Sequence, residues 1–413
     1  MIKELRLTNW KSFSPSTIYL DPLTVLIGTN ASGKSNLLDA FYFLSQLATG
    51  KPVETVINEI RGGREWLIRK GKRFATLTVV VARDIHSIEY QYSIELRIAD
   101  DKRVYIDKEA LVQVDQSNSV LTNSLDSSHP ERKPKSDNLF RGYLTDITKP
   151  YVDVLSRRSS QGPEKTYQFS RVSSVLSQMG SKDVLKYIKD GVSFVQQELS
   201  NIFVLNPVPN NMRGYSSLSE TLKSDASNMA GVLSAMDEAK RIQVEEKLTR
   251  YLKPLPERDV KRVWTEKYGP FGTDAMLLCK EQWRDGEETT IDSRSMSDGT
   301  LRFLAIATAM MTRPQGSLLI VEEIDNGLHP SRTKELITML KNLGNERSID
   351  VLCTTHNPVM IDNLGLDMLP IVFFVKRDVQ TGGSVVEPVE EKENLPKLLA
   401  HNSVGGLMTE GVL

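Results

Sequence analysis

Apolar and polar positions follow three successive patterns along the first fifty residues. Residues 2–7 alternate apolar with polar side chains and residues 16–20 lead toward the next element, which predicts a small N-terminal sheet. The apolar run at residues 23–27 predicts a short buried strand. Residues 36–47 predict a helix, because their large apolar side chains recur at helical spacing: Leu37, Leu38, Phe41, Leu44 and Leu47.

The middle of the chain mixes strand-like, polar and helical patterns. Alternation at 74–81 and 88–98, joined through residues 83–86 and extended by 104–114, predicts an antiparallel meander. Residues 117–138 are polar and contain two prolines, so we expect a long exposed loop. Its basic side chains Arg132, Lys133 and Lys135 either contact nucleic acid or, as is commoner, are simply solvated.

Helical spacing dominates the next part of the chain, from about residue 144 to 204 and again from 229 to 252, before Pro254. Short apolar runs then alternate with helical segments: strands are predicted at 318–321, 349–354 and 371–375, and helices at 301–311 and 332–343. Such alternation indicates an α/β fold with a mostly parallel sheet. We expect this sheet to continue the one begun at residue 23, across a large insertion at about residues 100–290.

The composition of the chain excludes several kinds of protein. The 413 residues include 52 basic and 53 acidic side chains, so a net charge of −1 gives no overall attraction to nucleic acid or anionic membranes. Two cysteines exclude a disulfide framework and a four-cysteine zinc site. The N-terminal residues carry charges where a signal peptide would need an apolar core, so we expect no export signal. The longest apolar runs fall far short of the ~20 residues of a membrane helix. We therefore expect a soluble cytoplasmic protein that does not bind membranes.

Residues 28–35 spell G-T-N-A-S-G-K-S, a complete phosphate-binding loop (P-loop) placed between a predicted strand and a predicted helix. In such a loop the backbone N–H groups face phosphates, Lys34 reaches the β/γ oxygens and the Ser35 hydroxyl binds Mg²⁺. A chance strand-to-helix turn is the alternative, and the complete motif with both flanks argues against it. The sequence therefore predicts ATP and Mg²⁺ binding by Asn30, Ala31, Ser32, Gly33, Lys34 and Ser35.

Two carboxylates, Glu322 and Glu323, follow the apolar run at 318–321. Adjacent side chains of a strand point to opposite sides, so we expect different roles for the two. Glu322 is assigned to Mg²⁺ and Glu323 to orienting the attacking water. Two acids that merely solvate a strand end are the alternative reading.

Two further features fit the same chemistry. Ser297 precedes the apolar helix at 301–311, so it is either only a helix cap or part of a second anion site at that helix N-terminus. His356 follows the predicted strand at 349–354, where it could sense a γ-phosphate. A lone histidine is usually structural, and only the other motifs distinguish this one.

The ordered motifs resemble those of ABC-type ATPases of the SMC/RecF/OLD branch. They are G-x-x-x-x-G-K-S at 28–35, M-S-D-G-T at 296–300, L-L-I-V-E-E at 318–323, D-N-G-L-H-P at 325–330 and T-T-H-N-P at 354–358. Residues 7–13 also look like the N-terminal strand and turn of that branch. Within it the chain is most similar to bacterial predicted AAA-family ATPases without a Toprim nuclease domain, including relatives in anti-phage defence.

The resemblance implies an α/β ABC-ATPase head with a mostly parallel core sheet, an N-terminal antiparallel β subdomain and an inserted helical lobe. Its halves would be residues 1–115 and 291–413, separated by an insertion at 116–290. It also implies a head-to-tail homodimer around two ATP molecules. Ser297 and Gly299 would meet the γ-phosphate in trans, Asp325 would lie in the loop coupling the two sites, and Glu323 and His356 would be the catalytic base and the switch histidine.

Several functions remain compatible with these motifs. The leading one is an ATPase that controls a separately encoded effector protein or DNA, with anti-phage defence as its setting. The alternatives are an ATP-stabilised scaffold for a separately encoded nuclease or toxin, and a RecF-like DNA-repair clamp. A small-molecule kinase would not need the motifs at 296–300 and 354–358. We expect no nuclease activity, because the chain after Pro358 is too short for a Toprim domain.

The chain departs from the family pattern in three ways. The signature usually reads L-S-G-G-Q, so Met296, Asp298 and Thr300 are substitutions. Asp298 adds a negative charge where a phosphate is expected, so it should point away or pair with a cation. Glu322 replaces the usual aspartate and is one methylene longer. No glutamine occupies an obvious Q-loop, and the run at 202–205 ends instead in Asn206 and Pro207.

Overall fold

A computed structural model describes residues 1–83, 88–115, 135–146, 148–157, 162–253, 260–284 and 286–411. The strands are β1 (Ile2–Thr8), β2 (Ser16–Tyr19), β3 (Leu23–Ile27), β4 (Phe74–Ala82), β5 (Ile88–Ile98), β6 (Val104–Asp115), β7 (Lys135–Tyr143), β8 (Tyr151–Arg157), β9 (Glu164–Ser170), β10 (Phe203–Leu205), β11 (Ser216–Ser217), β12 (Val260–Tyr268), β13 (Asp274–Arg284), β14 (Glu287–Asp292), β15 (Leu318–Val321), β16 (Asp350–Thr354), β17 (Val372–Arg377) and β18 (Ser384–Pro388).

The helices are α1 (Lys34–Ala48), α2 (Val53–Glu59), α3 (Val175–Met179), α4 (Lys186–Ser200), α5 (Pro209–Met212), α6 (Met229–Ala235), α7 (Glu238–Leu252), α8 (Asp298–Thr312), α9 (Thr333–Arg347), α10 (Pro358–Leu364), α11 (Leu395–Leu399) and α12 (Val404–Thr409). Among the described residues, no helix is long and apolar enough to cross a membrane. The chain folds into two compact units. Unit 1 comprises Met1–Asp21, Thr29–Ile202 and Val375–Glu387, and unit 2 comprises Pro22–Gly28, Phe203–Phe374 and Pro388–Leu413.

Unit 1 is built on an eight-stranded sheet in the order β2-β1-β4-β5-β6-β7-β8-β9. Its strand pairs are antiparallel, so the predicted N-terminal sheet and meander are confirmed. Alternate residues of β5, such as Tyr92, Ile94 and Leu96, are buried, as expected for a sheet with one covered face. Helix α4 packs against α1 and also contacts β5 and β7.

Two predictions for the middle of the chain need correction. Of the polar segment 117–138, residues 117–134 lie outside the described residues, but residues 135–138 belong to β7 and not to a loop. The prediction of helix from residue 144 was wrong up to residue 170, where β8 and β9 pair instead. In β8, the apolar side chains at 151, 152, 154 and 155 fit helical spacing, yet Val154 and Ser156 are buried on one face of a strand.

Unit 2 contains a parallel sheet in which β10, β15, β16, β3 and β17 are neighbours in that order. Every residue of β3 and β15 is buried, which explains their continuous apolar runs. Helix α9 contacts β16, β3 and α8, and α8 is almost entirely buried. The α/β class predicted for an ATPase head is confirmed.

The rest of unit 2 differs in detail from the predicted helical lobe. Residues 229–252 form two helices, not one, because Met236 is extended and the Asp237 carboxylate caps α7 by accepting from the Lys240 N–H at 2.9 Å. The segment also includes a small antiparallel sheet of β11, β13, β12 and β14.

Candidate functional site

The P-loop leaves the carboxyl end of β3 and runs into α1, as predicted. Within it, Ala31 and Gly33 have φ values of 63° and 119°, in the left-handed region. Such residues next to right-handed ones turn successive backbone N–H groups toward one side, which forms an anion-binding concavity. Helix α1 begins at Lys34, so its N-terminal N–H groups add to this positive region.

The side chains of the P-loop differ in exposure. Asn30 and Ala31 are exposed, Lys34 and Ser35 are half-buried, and Ser32 is buried. Lys34 Nζ donates to Thr29 O at 3.0 Å, so the ammonium group lies back on its own loop. A bound phosphate would exchange this carbonyl partner for charged oxygens, which form stronger hydrogen bonds.

The carbonyl groups of the P-loop bond to residues that no sequence motif had singled out. Ser384, at the start of β18, donates its hydroxyl to Ser32 O at 2.5 Å. A Cβ atom at Gly33 would lie 2.5 Å from Ser384 Oγ, so only glycine fits beside it. Ser384 and Ser32 are 352 residues apart in the chain, so no local sequence pattern could predict this hydrogen bond.

In unit 2, the predicted carboxylates follow β15. The strand ends at Val321, and Glu323 has φ 47°, an unusual conformation for a residue other than glycine. The strand-alternation argument used to separate Glu322 from Glu323 therefore does not apply to these two residues. Thr354, at the end of β16, holds this turn: its hydroxyl accepts from the Glu323 N–H at 2.8 Å and its carbonyl from the Ile324 N–H at 3.0 Å.

Glu323 and His356 lie together at this edge of the sheet. Glu323 Oε1 is 4.0 Å from His356 Nδ1, and both side chains are about half exposed. The separation exceeds a hydrogen bond, so both groups face the same space without bonding directly. Asn326 Nδ2 donates to Glu323 Oε2 at 3.2 Å and fixes the carboxylate. The backbone N–H of Thr355 donates to Leu26 O of β3, which fixes the start of the histidine turn.

The other acidic residues have distinct surroundings. Glu322 is half-buried. Asp325 is buried and close to Cys353, and burial together with the Asp325 charge raises the pKa of that thiol well above its usual value. Cys353 is therefore a protonated core thiol. The Asp325 carbonyl accepts from the Leu328 N–H at 3.0 Å and closes a tight turn.

The segment at 296–300 begins α8. Ser297 caps the helix by accepting from the Thr300 N–H at 3.1 Å. Asp298 pairs with a cation, as its position required: Arg213 Nη2 is 2.5 Å from Asp298 Oδ1, and Arg213 Nη1 donates to Met296 O at 3.1 Å. Arg213 precedes this segment by more than 80 residues and was missed in the sequence.

The start of α8 also touches the turn after β15. A Cβ atom at Gly299 would lie 2.5 Å from Gly327 O, so the two backbones are in close contact. The buried Arg332 donates to Thr300 Oγ1 at 3.3 Å from the same side. The turn that begins at Asp325 and the N-terminus of α8 therefore pack directly against each other, and a side chain at position 299 would separate them.

Asn206 takes a position that the sequence left unassigned. Strand β10 pairs in parallel with β15, and Leu205 is the partner of Val321. Asn206 therefore follows its strand at the same edge of the sheet where Glu322 follows β15. Its backbone N–H donates to Ser224 O at 2.7 Å.

The oxygen donors present suit Mg²⁺. The Ser35 hydroxyl and the Glu322 carboxylate are hard donors, which this ion prefers. Over the described ranges, no group of three or more His, Cys, Asp or Glu side chains is arranged to hold a metal ion. Mg²⁺ commonly takes one or two protein oxygens together with water and substrate phosphates, so it does not need a cluster of three or more acidic side chains.

Comparisons with known proteins agree with this geometry. A family model described as "AAA domain, putative AbiEii toxin, Type IV TA system" matches residues 23–362. The DNA replication and repair protein RecF of Streptococcus equi subsp. zooepidemicus (strain MGCS10565) is 49% identical over 45 residues, as is that of S. equi subsp. equi (strain 4047). Each match covers 11% of this chain and 12% of the RecF protein, so the chain matches only a small part of these relatives.

One solved structure shares the fold of this chain at low sequence identity, and a second is a weaker match. An SMC head bound to the C-winged helix domain of ScpA has a TM-score of 0.51 and 15% identity, over 94% of this chain and 97% of that chain. An SMC head domain from Thermotoga maritima has a TM-score of 0.43 and 16% identity, over 94% and 98%. Because the family model covers most of the sequence, the chain belongs to the family described as AAA domain, putative AbiEii toxin, Type IV TA system, and its fold resembles that of an SMC head.

Proposed function

We propose that this protein hydrolyses ATP slowly as a head-to-tail homodimer, and that its closed and open states control a separately encoded effector protein. The observation that carries the proposal is the pair formed by Glu323 and His356 at the carboxyl edge of the parallel sheet. Their atoms are 4.0 Å apart and half exposed, and the adjoining strand β3 leads into the P-loop. A carboxylate and an imidazole facing one space can act on a water and a phosphate together.

In this mechanism the water oxygen attacks the γ-phosphorus of ATP while the bond to the β–γ bridging oxygen breaks, releasing ADP and phosphate. Glu323 orients the water and accepts its proton, which then passes to phosphate or solvent. His356 contacts the γ-phosphate. Lys34 and the P-loop N–H groups stabilise the phosphate charge, because phosphoryl transfer depends mainly on positioning and electrostatics. Mg²⁺, held by Ser35 and Glu322, would supply charge neutralisation when bound.

The dimer is supported by the N-terminus of α8. Its N–H groups and Ser297 form an anion-binding end of the kind that phosphates occupy. Arg213 neutralises Asp298 and leaves this end suitable for a γ-phosphate from the second copy, with Ser297 and Gly299 as contacts. Asp325 would carry the signal, because its turn packs against Gly299 through Gly327. A two-fold dimer uses the same surface on both copies.

Control of a partner protein is supported by the relatives. An SMC head of this fold is bound to the C-winged helix domain of ScpA, and the family description names a putative toxin of a toxin–antitoxin system. We therefore place the protein in the bacterial cytoplasm, with anti-phage defence as its setting. The short RecF match supports a DNA clamp as the second candidate, which the net charge of −1 favours less.

Glu323→Gln tests the proposal. The amide keeps the shape of the side chain but cannot accept the proton from water, so we expect turnover to fall by about 100-fold or more. ATP binding should persist, and ATP should accumulate a dimer that light scattering detects during gel filtration. Glu346→Gln is the matched control, because Glu346 pairs with Lys247 on the surface and should leave turnover unchanged.

The outcomes separate the candidate functions. Equal turnover of Glu323→Gln and the parent would remove the catalytic assignment. Bound ATP without hydrolysis in the parent, even with DNA and a partner present, would favour a scaffold. Salt-dependent duplex binding that requires ATP would favour the clamp. Identifying the proteins that co-purify with the ATP-bound Glu323→Gln form would name the effector.

A further inference from the structure

We propose that Ser384 is a positioning residue of the nucleotide site, which orients a P-loop peptide so that its N–H group faces the phosphate. The inference rests on the proposed function, since it assumes that the P-loop binds ATP. Ser384 lies at the other end of the chain, on β18, and its side chain is fully buried.

The argument begins with the peptide between Ser32 and Gly33. In a planar trans peptide the C=O and the N–H point in opposite directions. Ser384 Oγ donates to Ser32 O at 2.5 Å. The Gly33 N–H therefore points away from Ser384, toward the concave side of the loop. A free carbonyl would allow this peptide to rotate and present its oxygen to the phosphate, which would repel it.

Ser384 is itself rigidly held. Its backbone N–H donates to Ser12 O at 2.7 Å, and its carbonyl accepts from the Ser14 N–H at 3.0 Å. Its hydroxyl is also 2.8 Å from Ser12 Oγ, which accepts from Asn36 Nδ2 of α1 at 2.8 Å. The P-loop carbonyl, the N-terminal turn and the first turn of α1 are thus joined in one hydrogen-bonded network.

The fit between Ser384 and Gly33 leaves no room for larger groups. A Cβ atom at Gly33 would lie 2.9 Å from Ser384 Cβ and 3.1 Å from Ser12 Oγ. Position 384 therefore needs a side chain that is small and carries a donor, which serine provides. Ser32 Oγ is buried and, within the described part of the chain, has no hydrogen-bond partner, so it does not compete for Ser384.

A second donor comes from the same hairpin. Arg377, on β17, points its Nε at Ala31 O at 3.4 Å. Two successive P-loop carbonyls therefore accept from the β17–β18 hairpin, one strongly from a buried hydroxyl and one weakly from an exposed guanidinium. Both contacts direct the carbonyls to one side, as an anion-binding loop requires.

Ser384→Ala tests the inference. Loss of the donor should weaken ATP affinity by about 10-fold, the usual effect of removing one well-formed hydrogen bond. Fluorescent ATP-analogue titration measures the affinity, and urea unfolding without nucleotide measures stability. The variant should raise the KM for ATP more than it lowers kcat, because the loop still reaches the competent arrangement in a fraction of molecules.

Ser14→Ala is the matched control. Ser14 is also buried and its N–H bonds to the Ser384 carbonyl, but its hydroxyl contacts Thr381 at 3.1 Å and Arg69 at 2.9 Å. It should keep the parental ATP affinity. Parental affinity of Ser384→Ala, or equal weakening by both variants, would overturn the positioning role. Lys34→Ala distinguishes failure of this inference from failure of the proposed function. If Lys34→Ala loses ATP binding while Ser384→Ala keeps it, only the positioning role of Ser384 is wrong. If Lys34→Ala binds ATP normally, the proposed function is wrong.

Discussion

The candidate functional residues of unit 1 and those of unit 2 use different chemical groups. The P-loop in unit 1 presents mainly backbone N–H groups, with Lys34 as its one charged side chain. Unit 2 presents side chains: Glu323 and His356 lie at the edge of the parallel sheet, and Asp298 pairs with Arg213 at the start of α8. A backbone site depends on how each peptide is oriented, whereas a side-chain site depends on which residues stand at the strand ends.

This difference determines which residues matter outside the motifs. A mutation changes a side chain and leaves the backbone groups in place. The orientation of a P-loop peptide therefore depends on side chains elsewhere that bond to it, such as Ser384. Side-chain groups are positioned by their own turns, and Glu323 is held by Thr354 and Asn326 within the motif region. Arg213, which bonds to Asp298, lies outside the sequence motifs of unit 2. The comparison predicts that P-loop variants change ATP affinity, whereas variants at the sheet edge change turnover.

The largest effect should come from Lys34→Ala. Lys34 supplies the charged side chain of the P-loop, and charge-assisted bonds to two phosphate oxygens contribute enough for about a 100-fold loss of ATP affinity. Calorimetric titration with a non-hydrolysable ATP analogue measures this loss. Lys51→Ala is the control in the same unit, because Lys51 pairs with Glu59 on the surface. A Lys34 variant with normal affinity but low turnover would break the comparison.

A smaller effect is expected for Arg213→Ala, and it should fall on turnover. Without Arg213, Asp298 places an unpaired negative charge beside the γ-phosphate of the second copy in the proposed dimer. We expect turnover to fall about 10-fold, with the loss reduced at high salt, because Asp298 is exposed and its charge is screened. Steady-state ATPase assays at two ionic strengths measure it.

Two further variants define the cause of this effect. Asp298→Asn combined with Arg213→Ala should restore most of the activity, since the double variant carries no unpaired charge. Arg294→Ala is the matched control, because Arg294 pairs with Asp292 in the preceding turn and is expected to be neutral. Equal losses for the single and the double variant would show that Arg213 contributes by a bond to Met296 O alone.

The sequence predicted those parts of the fold whose patterns are local and strong. Buried parallel strands such as β3 and β15 have uninterrupted apolar runs, and α1 has clear helical spacing, so these elements were confirmed. The order of the strands could not be predicted, because no pattern states that β3 lies between β16 and β17. The cation beside Asp298 was expected on electrostatic grounds, but only the fold identifies it as Arg213.

The errors have a physical cause. In β8, alternate positions carry both apolar and polar residues on the partly exposed face, so apolar spacing matched a helix as well as a strand. The contacts of Ser384 and of Arg213 join residues far apart in the chain, and no propensity or motif records such tertiary contacts. The role of each site residue therefore remains a prediction, while the position of each is described by the structure.

Substitution of Glu109 should have the smallest effect on ATP affinity. It tests whether pH changes the stability of unit 1 without changing the nucleotide site. Glu109 lies on β6 in the P-loop unit, is fully buried, and accepts from the N–H groups of Val175 at 2.8 Å and Leu176 at 2.7 Å and from the Tyr92 hydroxyl at 2.9 Å. Burial raises the pKa of Glu109 to about 7, although these three donors oppose the shift. Ser174, just before α3, bonds to Leu47 O in the last turn of α1.

The sign of the pH effect follows from this raised pKa. Folded Glu109 keeps its proton up to about pH 7, whereas in the unfolded chain it loses it near 4.5. Its stabilising contribution is therefore complete below about pH 4.5 and is lost as pH rises through 7. Between pH 5 and 8, the free energy of unfolding of the parent should fall by about 3 kcal/mol relative to Glu109→Gln, which lacks the titrating group.

Urea unfolding of both proteins at several pH values measures this difference. ATP affinity of the folded protein should stay the same in the variant, because Glu109 bonds to Tyr92, Val175 and Leu176 within the frame of unit 1. Parallel stability curves would exclude the raised pKa. A change in ATP affinity with unchanged stability would mean that the bond from Ser174 to the end of α1 influences the P-loop at its start. The orientation of the P-loop N–H groups would then depend on the whole length of α1.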